Sequence, residues 1–205
     1  MAPRKRQRRK DARPEEIVSA ALELFGNKGY SNTTLSTIAD AADISRTTIY
    51  LYFEDKEAIL RQAFEDRVAP IFQDGHAQVA QVEMPFEQLF RMVIGRMYDR
   101  LTDKTTLILL KIIIAEGHQI PDLVRFHHEN ILSIAERLVE GLLKTGIAEG
   151  AVRPSIADMD PKLLIAPIIV AAMWRLTFEH LSPIDIDEYI AGHLDILMKG
   201  ILVKN

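Results

Sequence analysis

Between Ser45 and Tyr52 the chain reads Ser-Arg-Thr-Thr-Ile-Tyr-Leu-Tyr, a short segment dense in hydrogen-bonding side chains. Ser45 suits the cap of a short helix, which leaves Arg46, Thr47 and Thr48 at its exposed N-terminal end while Ile49 turns back toward a core. A guanidinium in that place can hydrogen-bond twice to the edge of a guanine, and threonines can meet thymine methyls or phosphates. Tyr50 and Tyr52 add hydroxyls at the height of a backbone phosphate. Lys56 is the odd piece, because a cation at a helix start opposes the helix dipole unless an anion is expected there. A phosphate resting on that N-terminus would use both its free N–H groups and the lysine. The chemistry these residues offer is recognition of nucleic acid.

Helices must position them, since helical periodicity dominates the chain and no run of strict alternation is long enough for a strand. The expected class is all-α. Pro14 fits a first helical turn, Glu15 and Glu16 suit its positive end, and Ile17, Ala20, Ala21, Leu24 and Phe25 share one face. Gly26-Asn27-Lys28-Gly29 stops this helix, which is predicted over about 14–28. Thr33 or Thr34 can cap a second helix carrying Leu35, Ile38, Ala39 and Ala42. A tight turn around Asp43 leads to the third, and Asp55 caps a fourth, about 55–72, with Ile59, Leu60, Ala63, Phe64 and Val68 on its apolar face. Two helices joined by about four residues, the second short and polar, is the layout of a DNA-reading helix-turn-helix.

Beyond residue 75 longer helices are expected near 84–101, 104–116, 121–145, 160–180 and 185–202. Pro121 and Pro161 read as first-turn residues, Gly117, Gly146 and Gly150 as terminators, and Pro167 as a kink inside its helix. The division that follows is a disordered basic arm over 1–13, a helix-turn-helix domain over 14–60 and a helical domain over 61–205.

Composition narrows the function. With 205 residues, 48% of them apolar, the chain can bury a substantial core. Its lack of cysteine removes disulfides, thiolate zinc sites and cysteine nucleophiles. The apolar stretches Leu107 to Ala115, broken by Lys111, and Leu163 to Trp174 fall short of the roughly 20 residues a membrane span needs. The basic N-terminus leads into Asp11-Ala12-Arg13-Pro14-Glu15-Glu16 rather than into the apolar middle of a secretory signal, so the expected place is the cytoplasm. Residues 1–13 carry seven cations and one anion, a charge of +6 that leaves −10 on the remainder against the total of −4. A basic arm on an acidic body suits a chain end that seeks polyanions. An enzyme is the rival reading, as is a protein-binding scaffold. The chain holds no glycine-rich phosphate loop, no G-x-S-x-G elbow and no H-E-x-x-H pair, so no catalysis is expected.

Residues 14–60 resemble the DNA-binding domain of the tetracycline-repressor (TetR/AcrR) family of bacterial regulators. The resemblance is carried by Ala20-Ala21-Leu22-Glu23-Leu24-Phe25 with Gly29-Tyr30, by Thr33-Thr34-Leu35-Ser36-Thr37-Ile38-Ala39, and by Ile44 through Phe53 with Lys56-Glu57. It implies a homodimer of subunits with about nine helices, three at the DNA and the rest forming an effector pocket and a dimer interface. It also implies a ligand-responsive regulator, most readily a repressor, which meets a palindromic operator and sits at the nucleoid when bound. By this resemblance Thr34, Ser45, Arg46, Thr47, Thr48, Tyr50, Tyr52 and Lys56 stand where the family contacts DNA. Asp43 replaces the usual turn glycine and Thr47 a frequent glycine of the third helix. Aspartate tolerates positive φ better than most residues, so the turn is expected to be kept.

For the second domain only architecture is carried over, with the helices about 160–180 and 185–202 pairing with their copies. Leu163, Leu164, Ile168, Ile169, Ala171, Ala172, Ile190, Leu194, Leu197, Met198 and Ile201 supply the apolar surface, about half of it expected to be ordinary core. An apolar or aromatic effector is expected among Met92, Arg96, Met97, Phe126, His127, Trp174 and Phe178, where methionines and flat rings combine with a few polar handles. Glu116, His118, His127, His128 and Glu129 raise metal sensing, but no His-x-x-x-His pair lies on one helix face, so neither metal nor cofactor is expected.

Overall fold

A computed structural model describes residues 4–67 and 84–203, and the side chains of these from residue 12 onward apart from that of Arg67. Helices α1 (Arg4–Lys28), α2 (Leu35–Ala41), α3 (Arg46–Ile49) and α4 (Lys56–Arg67) come first. They are followed by α5 (Phe86–Leu101), α6 (Lys104–Glu116), α7 (Pro121–His127), α8 (Ser133–Ala148), α9 (Lys162–Thr177) and α10 (Ile186–Ile201). A π turn at His128–Leu132 joins α7 to α8, so helical backbone runs unbroken from 121 to 148. Counted as one helix, that stretch makes nine among the described residues. The only pairing of extended backbone among them is a bridge between Val152 and Leu202.

The chain differs from the sequence reading at its start. α1 begins at Arg4, so residues 4–13 are helical rather than a disordered arm, and Pro14 lies inside the helix rather than in its first turn. Arginine, lysine and glutamine lose little rotamer freedom in a helix. The proline removes a single donor, the one that would reach the Lys10 carbonyl. Residues 1–3, and the part of the fourth helix expected over 68–72, lie outside the described residues.

Contacts divide the chain into two compact units. The first runs to Arg67 and takes in Ile108–His127; the second holds the remaining described residues, 84–107 and 128–203. The packing boundary therefore differs from a cut at 60/61, because α4 packs against α7 as well as α1. In the first unit Ile17, Val18, Ala21 and Phe25 of α1 are buried with Ile38, Ile49, Ile59, Leu60 and Phe64. Apart from that of Ala21, each such side chain contributes about 1.5–3 kcal/mol relative to exposure, which allows helices as short as α2 and α3 to persist.

In the second unit α5 packs against α8, α9 and α10. Gly146 lets this happen, since a Cβ there would lie 2.5 Å from the Phe86 ring and 2.6 Å from Val152. The π turn has no clear sequence signal, but the Ser133 hydroxyl donates to the His128 carbonyl at 2.9 Å and so satisfies an acceptor in the widened turn. Buried between α5 and α10, the Tyr98 hydroxyl and His193 Nδ1 are 2.8 Å apart.

Candidate nucleic-acid interface

The turn between α2 and α3 determines how the polar segment is presented. Asp43 has φ 53, the left-handed value that glycine usually supplies. Its N–H donates to the Asp40 carbonyl at 3.3 Å, and that of Ile44 to the Ala39 carbonyl at 3.0 Å. This pair of bonds is a Schellman motif, which satisfies the last carbonyls of α2 and reverses the chain. The expectation that aspartate keeps the turn is met.

Both helices are capped by their own side chains. Thr34 Oγ1 accepts the Thr37 N–H at 3.2 Å while Thr37 Oγ1 accepts that of Thr34 at 3.1 Å, a reciprocal capping box. Ser45 Oγ accepts the Thr48 N–H at 3.1 Å and lies 2.7 Å from the Thr48 hydroxyl. Asp55 Oδ1 caps α4 through the Ala58 N–H at 2.7 Å.

Past Ile49 the backbone keeps a helical path, with Tyr52 and Phe53 N–H groups both donating to the Ile49 carbonyl at 3.0 Å. The side chains from 46 to 53 therefore fall into rows. Ile49 and Phe53 are buried, Thr48 and Tyr52 are half-buried, and Arg46, Thr47, Tyr50 and Leu51 are exposed. Thr34 and Ser45 are exposed too, so five of the eight sequence-derived residues are exposed, two of them capping residues, and Thr48, Tyr52 and Lys56 are half-buried. Tyr52 is less open than its hydroxyl role suggested.

Lys56 departs from the sequence expectation. Its ammonium donates to the carbonyls of Tyr30 at 2.7 Å, Thr33 at 3.2 Å and Ser31 at 3.5 Å, and it lies 4.2 Å from the centre of the Tyr30 ring. Carbonyl dipoles and a ring face thus supply the negative potential that a phosphate was expected to bring. Burial holds this amine below the ordinary lysine value, with the Glu116 carboxylate acting in the opposite direction. Lys56 therefore braces the loop between α1 and α2. Glu116 grips the same loop, its carboxylate accepting the Ser31 N–H at 3.3 Å and the Ser31 hydroxyl. Sequence reasoning had no signal for this clamp, because its partners lie 85 residues apart.

The residues expected around an effector are distributed over both units. In the second, Met97 is buried, Met92 half-buried and Arg96 exposed on α5. Trp174 donates from Nε1 to the Ser182 carbonyl at 2.6 Å and packs on Phe178 with ring centroids 5.0 Å apart. Phe178 itself is exposed at the end of α9. In the first unit His127 is buried edge-on to Phe64 at 5.1 Å, and Arg61 lies 5.3 Å from the centre of the Phe126 ring. Among the described residues no group of three or more His, Cys, Asp or Glu is gathered around a metal-sized space. Nor is any described helix long and apolar enough to cross a membrane.

Residues 17–63 match the model of the family described as bacterial regulatory proteins, tetR family. The HTH-type transcriptional regulator YhgD of Bacillus subtilis, uncharacterized, is 26% identical over 194 residues, covering 92% of this chain and 96% of YhgD. YerO of the same organism, likewise an uncharacterized HTH-type regulator, is longer: a match at 25% identity covers 91% of this chain and 65% of YerO. Among solved structures, the regulator FadR from Bacillus subtilis in complex with stearoyl-CoA superposes with a TM-score of 0.73 at 22% identity, over 91% of this chain and 98% of FadR. SmeT in complex with triclosan gives 0.75 at 20% identity, over 95% and 93%. The turn geometry, the capped helices and these likenesses agree: residues 17–63 match the tetR family of bacterial regulatory proteins, and over nine-tenths of its length the chain is similar to HTH-type transcriptional regulators.

Proposed function

We propose that this protein is a ligand-responsive repressor, which binds a palindromic operator as a homodimer and is released by a small apolar or aromatic effector. The observation that carries the DNA reading is the exposed row Arg46, Thr47 and Tyr50, held outward by the buried pair Ile49 and Phe53 and by the Asp43 turn. Arg46 is the base-reading cation, Thr47 and Thr48 meet thymine or phosphate, and Tyr50 and Tyr52 meet the backbone. Thr34 and Ser45 serve the operator while capping their helices, and Lys56 acts by positioning the loop before α2. The cations of residues 4–10 crowd the N-terminal end of α1, where they oppose its dipole, and a DNA phosphate would relieve that arrangement.

Support for the dimer comes from an apolar stripe that one subunit leaves uncovered. Leu163 is 64% exposed and Val170 49%, with Ala166 and Met173 exposed at the same helical spacing on α9; on α10 Ile196 is 71% exposed. Exposed leucine, valine and isoleucine in such rows mark an interface. A two-fold pair would hold two α3 helices about 34–36 Å apart for successive major grooves. The described helix-turn-helix lies in the domain read as 14–60, with effector binding and dimerisation assigned to 61–205. An effector bound beside Met92, Arg96, Met97 and Trp174 releases DNA by its differential affinity for a form with another spacing. FadR with stearoyl-CoA and SmeT with triclosan support an effector of large apolar area.

The test is fluorescence anisotropy of the purified protein on duplexes selected from a random pool, against scrambled DNA at several salt concentrations. A preference of about 10³-fold or more is expected, and Arg46→Ala with Tyr50→Ala should abolish it while circular dichroism stays unchanged. Equal and weak binding to every duplex would overturn the reading. Stearoyl-CoA and triclosan are the first probes for release.

A further inference from the structure

The exposed row beside α3 contains one residue that sequence reasoning passed over. Leu51 is 78% exposed, more than neighbouring Tyr50 at 62%. It is not loose, because its N–H donates to the Thr48 carbonyl at 3.1 Å and both neighbours on the buried row, Ile49 and Phe53, are anchored in the core. Four residues after Thr47, Leu51 extends the same helical face on which Arg46 and Tyr50 stand. A branched hydrocarbon is thus presented from fixed backbone next in sequence to Tyr50, on a surface whose other members suit a polar ligand. Within the chain it gains nothing from that place.

Resting on the DNA-binding reading above, we propose that Leu51 is a specificity residue that reads the C5-methyl group of a thymine in each half-site. The floor of the major groove is polar except for that methyl, the one base-edge group on which burying carbon is favourable. Threonine can touch it with its own methyl, but Leu51 is the one wholly apolar side chain of the exposed row, and that methyl is the only base-edge group it can read. Removing one methyl contact of this kind weakens binding about four-fold.

Replacing thymine by deoxyuridine deletes only the methyl and keeps every hydrogen-bonding edge. The full-length protein is titrated against a duplex selected from a random pool, with each thymine replaced in turn. For the natural protein, one position per half-site should lose about four-fold in affinity on replacement. In Leu51→Ala the loss at that position should vanish while any loss at other thymines persists, and Leu51→Met should restore part of it. The exposed site makes all three proteins equally stable, which thermal melting checks. If every replacement affects the natural protein and Leu51→Ala alike, Leu51 is an ordinary surface leucine and the inference fails while DNA binding stands. If no duplex is selected over random DNA, the DNA reading itself fails and takes the inference with it.

Discussion

The α2–α3 pair and the α9–α10 pair are both helical, yet they show opposite materials to the outside. The first exposes a guanidinium, hydroxyls and one leucine over a small buried anchor. The second exposes Leu163, Val170 and Ile196 while burying Leu164, Ile168, Ala171, Leu194 and Leu197 within the subunit. Short helices of the first kind are defined by hydrogen bonds that close within a few residues: a capping box, a serine cap and a Schellman turn. Long helices of the second kind are apolar on more than one face, so packing alone decides which face looks inward. The lesson is that polar segments specify themselves locally, whereas apolar ones leave the choice to their neighbours.

The sharpest way to break this comparison is to place charge on the outward stripe. If the protein is the dimer proposed above, Val170→Glu combined with Ile196→Glu should make it a monomer by sedimentation velocity and weaken operator binding by on the order of 100-fold, with the helical content intact. A protein that stays dimeric would show that the stripe is not the interface. A smaller effect is expected inside the second unit, where Gly146→Ala forces a methyl against the buried Phe86 ring and Val152. Overpacking of that kind should lower stability by about 1–3 kcal/mol in urea unfolding without changing the oligomer. In the first unit Ser45→Ala removes one cap, and about 1 kcal/mol of stability should go with it, together with part of the operator affinity. Urea midpoints and anisotropy measured on the same variant separate the two losses.

The mildest prediction concerns His193, which is 8% exposed and whose imidazole burial holds below its ordinary value of 6.5. The folded chain therefore favours the neutral ring. As pH falls through about 6.5 the unfolded chain takes up a proton that the folded one resists, so stability declines until pH drops beneath the depressed folded value. His193→Gln lacks that term, and its melting temperature should fall less than that of the natural protein between about pH 7 and pH 5. Equal slopes would mean that other groups govern the acid limb.

Much of the first unit was legible because its signals are local. Thr34, Ser45 and Asp55 announce caps, Asp43 tolerates the positive φ of the turn, and Ile49 four residues before Phe53 marks the buried row. What the sequence did not show depends on partners distant in it. Lys56, expected beside a phosphate, donates to the carbonyls of Tyr30, Ser31 and Thr33. Of the apolar residues of α9 and α10, about half of them expected to be core, Leu164, Ile168, Ala171, Ala172, Leu194, Leu197, Met198 and Ile201 are buried in the subunit.

By itself, then, the amino-acid order determined the helical class, the helix-turn-helix with its caps and turn, and the polar row that recommends DNA as its partner. Those features rest on contacts within four or five residues, which any reading of the chain can count. Tertiary structure alone decided that Glu116 and Lys56 clamp one loop from two sides, that Leu51 is exposed beside Tyr50, and which apolar face of α9 looks outward. Each depends on what another element brings alongside, and burial and hydrogen bonding reward that proximity without recording it in sequence.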